Sequence, residues 1–191
     1  MGLAIVNTFR YGEEMEEKNN RQTWLRAGLQ LLATQGPERL RIMSIAEELG
    51  VTKGSFYWHF KNLDDYHCAL IEEWERSDTQ QAIAFVESMT GDANAKLQCW
   101  ITGASMSDLR LAKALRTWSM SHPLVKEVQA RVDQQRINYL SKLLHDVGWS
   151  ADQAATLGQW TYWAFIGFSS QEEPTITDQQ LALIFHVLKP D

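Results

Sequence analysis

Arg41 to Phe60, RIMSIAEELGVTKGSFYWHF, constrains the fold of this chain more than any other stretch. Ile42, Ile45, Ala46 and Leu49 recur at i, i+3, i+4 and i+7, which predicts a short amphipathic helix with one buried stripe. Gly50 follows at the C′ position, where a chain turns left-handed and glycine does so without a Cβ penalty. Thr52 is placed to cap a second helix by accepting a backbone N–H from its first turn. Val51 before that cap and Phe56 at N4 have the spacing of a hydrophobic staple. This register turns Phe56 and Phe60 inward and leaves Lys53, Gly54, Tyr57 and Trp58 outward. Two helices, a tight glycine turn and a cationic, aromatic outer face define a helix-turn-helix with a recognition helix.

The rest of the chain reads as helix, without strand signals or repeats. Residues 1–17 carry no apolar stripe and end in an acidic cluster, so they are expected to be a disordered tail, with Met15 as an alternative start. A first helix is expected from Lys18 to Thr34, with Trp24 in the core and Gly36-Pro37 as its stop. Asn62 can cap a long helix that runs to about Met89, with Asp64 and Asp65 favouring its dipole. Helices are then expected over Asn94–Thr102 and Ser107–Ser119. Pro123 opens another that Gly148 closes. Ser150 with Gln153, and Thr177 with Gln180, are capping boxes for the last two. The fold class is all-α, with a three-helix head over 18–77 and a six-helix body over 78–191.

A net charge of −6 sits badly with nucleic-acid binding until it is divided along the chain. Residues 18–61 carry +4, residues 62–191 carry −7 and residues 1–17 carry −3. A basic head on an acidic body is the footprint of one DNA-facing end. No secretory signal is read at the N-terminus, and the longest apolar run, Trp160–Phe168, is too short to span a bilayer. The expectation is a cytoplasmic protein that is not an enzyme. No HExxH, GxSxG, P-loop or paired-cysteine spacing calls for a metal or other cofactor.

GVTKGSFYWHF, with LQLLATQG before it and IAEELG within it, resembles the DNA-binding domain of the TetR family of bacterial transcriptional regulators. The resemblance implies a homodimer that binds a palindromic operator in double-stranded DNA and answers to a small effector, most often as a repressor. A relative that acts without any effector, as a constitutive DNA-binding or adaptor protein, is the alternative. On the recognition helix, Lys53 can donate to guanine O6 or N7, and Gly54 lets the backbone approach the groove. Tyr57 offers a ring to a thymine methyl and a hydroxyl to phosphate, and Thr52, Trp58 and Lys61 complete the expected DNA face. By resemblance, Ser55 and His59 hold phosphate, and Met43 and Ser44 stand where relatives reach bases. Two positions depart from the family: Arg41 replaces a capping Thr, and Leu63 replaces a basic phosphate contact.

In the body, the resemblance places Trp100, Met106, Trp118, Met120, His122, Tyr139 and Trp163 on helices that surround an effector cavity. Their chemistry suits a flat apolar or aromatic ligand. The last two helices resemble the family's dimer-forming pair. Leu157, Gly158, Thr161, Phe165 and Phe168, with Leu181 and Phe185, are the expected contact stripe, Gly158 letting a partner helix come close.

Overall fold

The computed structural model describes residues 20–190, so the expected tail, Met15 and Lys18 lie outside the described residues. All regular structure among them is helical, and the chain divides into two compact units between Glu73 and Trp74.

The first unit holds α1 (Arg21–Gln35), α2 (Ile42–Leu49), α3 (Lys53–Phe56) and most of α4 (Leu63–Glu75). Helix α1 starts at Arg21 rather than Lys18. The Asn20 side chain accepts the Thr23 N–H at 2.8 Å and fixes the helix end there. An aromatic cluster forms the core, with Phe56 5.5 Å from Trp24 and Phe60 4.9 Å from Tyr66, both edge-on. Tyr66 lies so close over Gly28 that a Cβ there would strike its hydroxyl and come within 3.0 Å of Leu70. The same hydroxyl donates to the Trp24 carbonyl at 2.8 Å, and burial pushes its pKa up. A glycine inside α1 costs roughly 1 kcal/mol of helix propensity, and the tyrosine it admits ties α1 to α4.

Helix α2 ends as its sequence predicts. Gly50 has φ 66° and ψ 31°, and the Val51 N–H reaches back to the Ala46 carbonyl at 3.0 Å, a Schellman closure. Arg41 gives the start of α2 no side-chain cap. Thr52 sits at the start of α3, but its side chain makes no capping hydrogen bond, contrary to expectation. Ser55 bonds to Thr52 instead, through the backbone, as Oγ to the Thr52 carbonyl at 2.6 Å and N–H to the same oxygen at 3.1 Å. The recognition helix is also shorter than expected. Beyond Phe56 it tightens into i→i+3 bonds, Tyr57 to Gly54 and Trp58 to Ser55, before the chain leaves at Phe60.

In the second unit the helix expected to run unbroken to Met89 contains one π-helical turn, Arg76–Gln80, before α5 (Gln81–Ser88). Then come α6 (Ala93–Ser105), α7 (Leu109–Ser119), α8 (Pro123–Asp146), α9 (Ala151–Ser169) and α10 (Asp178–Val187). Helix α6 is longer than expected because Asp92 caps it, and α7 starts at Leu109 because Asp108 does. Both predicted capping boxes, Ser150 with Gln153 and Thr177 with Gln180, are formed. With α4, the π turn and α5 taken as one, the described residues hold nine helices. Helix α8 is the axis of this unit, burying Val125, Val132, Leu143 and Leu144.

Polar clamps on α8 hold its neighbours. Arg116 of α7 is bidentate to Asp133 at 2.8 and 3.1 Å, and Tyr162 of α9 donates to the same carboxylate at 2.8 Å. Arg131 and Gln135 grip Glu75 and hold its carboxyl below the usual range, Arg131 doing most. Arg136 donates to Thr79 at 3.0 Å and Asp78 at 2.7 Å, so the π turn is fastened by α8. A π turn is a costly local geometry that persists where its surroundings over-determine it.

Candidate nucleic-acid interface and body cavity

In the head, burying Phe56 and Phe60 contributes roughly 1.5–3 kcal/mol each, and this anchorage decides what α3 presents. Thr52, Lys53, Gly54, Tyr57 and Lys61 are exposed, and Trp58 is 79% exposed. Met43 on α2 is exposed and Ser44 beside it half-buried. Met43, Tyr57 and Trp58 are all large apolar side chains left in water at this end of the head. Ser55 and His59, the expected phosphate contacts, are both half-buried. The Ser55 hydroxyl donates to the Thr52 carbonyl at 2.6 Å, a bond that a rotating hydroxyl can exchange for another acceptor. His59 is half-buried with Nε2 turned inward and without a partner, which leaves Nδ1 as the ring nitrogen for a phosphate. The sequence reading missed Arg21, whose guanidinium lies 5.3 Å over the Phe60 ring at the exit of the recognition helix. Its signal was a basic residue one position after the Asn20 cap.

The body contains a cavity of about 690 Å³, within the usual size of small-molecule sites. Its walls come from the π turn, α5, α6, α8, α9 and α10, with Ile176 from the last loop. Of the seven residues expected to line it, Trp100 does. Tyr139 is buried behind Trp100, 4.8 Å away edge-on. Trp118 is buried on α7 and packs against His122, outside the lining. Met106, Met120 and Trp163 are exposed on the surface, Met120 at 81%. Phe85, Arg136, Tyr162 and Asp78 line the cavity and were not anticipated, because no linear pattern joins five separate helices. Burial pushes the Tyr162 phenol up to about 12, the Asp133 carboxylate beside it adding to the shift.

The contact stripe expected on α9 is largely engaged within the chain. Thr161, Phe165 and Phe168 line the cavity, and Leu157 packs on the core behind it. Gly158 does admit a close helix, but that helix is α8 of the same chain. A Cβ at 158 would meet Ser141 Oγ and lie 3.0 Å from the Ser141 backbone nitrogen. Leu181 is buried and Phe185 half-buried on α10. The outward face of α9 carries Trp160 and Trp163 instead, 65% and 51% exposed, their rings 5.6 Å apart. Exposed Leu183 and Val187 stand on α10. The sequence leaves the register of the second half of α9 open, because Trp160, Tyr162, Trp163 and Phe165 surround it while the exposed polar stripe of Asp152, Thr156 and Gln159 is confined to the first half.

A helix-turn-helix head whose second helix projects a cationic, aromatic face, carried on a helical body with an apolar cavity, defines a helical DNA-binding regulator. Comparison with known proteins identifies the head. Residues 25–65 match the bacterial regulatory proteins of the tetR family, so the head carries that family's DNA-binding domain. It is 33% identical over 97 residues to the HTH-type transcriptional regulator AcrR of Shigella flexneri, a match over 51% of this chain. The chain spans 40% of the length of that curated relative. Its fold is similar to reduced NemR of E. coli, with TM-score 0.71 at 17% identity over 88% of this chain and 95% of that one. Salmonella enterica GusR is also similar, with TM-score 0.65 at 18% identity over 88% of this chain and 92% of that one. No helix among the described residues is long and apolar enough to cross a membrane.

Proposed function

We propose that this protein is a ligand-responsive repressor that binds a palindromic operator as a homodimer. The observation that carries this reading is the face of α3, where Lys53, Tyr57 and Trp58 project into solvent from a helix anchored by Phe56 and Phe60. Lys53 reads a base, and Lys61 and Arg21 hold phosphates on either side of the helix exit. The exposed pair Trp160 and Trp163 is the apolar surface that a second copy covers. Two coupled heads then act on two half-sites at high effective concentration. The cavity is the effector site, and a ligand that favours the dimer with its heads wrongly spaced releases the operator.

The test is titration of wild type and variants against an operator selected from random duplex DNA and against scrambled DNA. Lys53→Ala is expected to cost roughly 1–3 kcal/mol on operator and to relax preference at one base pair. Lys61→Ala is expected to weaken both DNAs about equally and to flatten the salt dependence. Unchanged operator affinity in Lys53→Ala removes the base-reading role.

A further inference from the structure

The effector reading leaves open what kind of molecule the cavity accepts, and its wall chemistry narrows that. Most of the lining is aliphatic or aromatic, with Trp100, Phe85, Phe165 and Phe168 the largest groups. The lining contains two formal charges, Asp78 and Arg136. They cancel each other: Arg136 Nη2 donates to Asp78 Oδ2 at 2.7 Å, and its Nε donates to Thr79 Oγ1. Asp78 also accepts the Trp74 indole N–H at 3.2 Å, and Arg136 lies 5.6 Å over the same ring.

Most of the neutral polar groups are also engaged, Thr161 being the exception. Ser105 Oγ donates to the Ile101 carbonyl at 2.9 Å, Ser107 Oγ to the Ala104 carbonyl at 2.7 Å, and the Tyr162 hydroxyl to Asp133. An incoming carboxylate would meet one hydroxyl not engaged by the protein, that of Thr161, and a guanidinium whose charge is already matched by an adjacent carboxylate. An incoming ammonium would meet a carboxylate whose charge is already matched by Arg136 and whose Oδ2 takes both protein donors. Either ion would give up its water without an unpaired countercharge in return. A neutral apolar molecule gives up little, and a hydrogen-bond donor on it can use the free lone pairs of the serine oxygens.

We infer that the cavity selects neutral, largely apolar ligands and rejects ionised ones of the same size, because its two charges neutralise each other. This rests on the cavity being the effector site, and the experiment separates the two. The full-length protein is titrated with the neutral fluorophore N-phenyl-1-naphthylamine, and the bound probe is displaced with decanol, decanoate or decylammonium. These competitors share a chain and differ in charge.

Two variants localise the effect. Gly103 lines the cavity, and a Cβ there meets nothing within 4 Å, so Gly103→Trp fills the space without a clash at its root. Asp78→Asn keeps the side-chain shape and leaves Arg136 uncompensated. The expected result is saturable probe binding that Gly103→Trp weakens about tenfold or more, a loss of about 1.4 kcal/mol. Decanol should displace the probe at concentrations about tenfold below either ion. Asp78→Asn should raise the potency of decanoate and leave that of decanol unchanged. If binding depends on Gly103 but decanoate or decylammonium competes as well as decanol, the charge selectivity is overturned and the effector site stands. If no probe binds, or Gly103→Trp has no effect on binding, the cavity is not a ligand site and the inference falls with that reading.

Discussion

The close approach of α8 and α9 at Gly158 can be tested by adding a single carbon. In Gly158→Ala the new Cβ meets Ser141 Oγ and lies 3.0 and 3.1 Å from the Ser141 backbone nitrogen and Cα. The hydroxyl can rotate away, but the backbone atoms retreat only if the two helices part by a few tenths of an ångström. Overpacking of this kind costs typically 1–3 kcal/mol. Replacing a mid-helix glycine by alanine returns roughly 1 kcal/mol of propensity. The net is a loss of about 1 kcal/mol, or a fall of about 2–4 °C in Tm for a chain of this size. Gly103→Ala, also helical, is the control. Nothing lies within 4 Å of its Cβ, so it should show only the propensity gain, up to about 1 kcal/mol. Ser141→Gly with Gly158→Ala should recover part of the loss, since the backbone contacts remain. Thermal and urea melts followed by circular dichroism at 222 nm give the comparison. A Gly158→Ala melt at or above that of Gly103→Ala would refute the packing of α8 on α9, and with it the exclusion of Gly158 from the dimer face.

Three other predictions follow from the same geometry. Arg41→Thr supplies the cap that α2 lacks and should stabilise the head by about 1 kcal/mol in a chemical melt, read as a higher midpoint. Glu75→Gln should cost about 1–2 kcal/mol at neutral pH, less than for a fully buried pair because Arg131 is 46% exposed. Because the Glu75 pKa is lowered on folding, its contribution is present above the ordinary value of 4.5 and is lost as pH falls through the folded pKa. Urea melts from pH 7 to pH 3 should therefore show wild type losing stability faster than Glu75→Gln below about pH 4.5. Trp160→Ala with Trp163→Ala removes the exposed aromatic pair and should give a monomer by sedimentation with unchanged helical content. A dimer that survives both substitutions places the interface elsewhere.

The sequence by itself determined the features encoded within a turn or two of helix. The stripe of Ile42, Ile45 and Ala46, the glycine closure at Gly50 and the inward Phe56 and Phe60 are all present, because each depends on neighbours four to seven residues away. The caps at Asn62, Ser150 and Thr177 are local in the same sense. Local reading failed where two local bonds competed, as at Thr52, whose carbonyl takes the Ser55 hydroxyl while its own side chain caps nothing. Only the tertiary structure decided which side of α9 faces out. Apolar residues surround the second half of that helix, so periodicity there does not distinguish the covered side from the side that carries Trp160 and Trp163. The cavity was equally out of reach. Asp78 and Arg136 lie 58 residues apart and meet only because α8 packs along the π turn, and the charge each lends the cavity is set by the other.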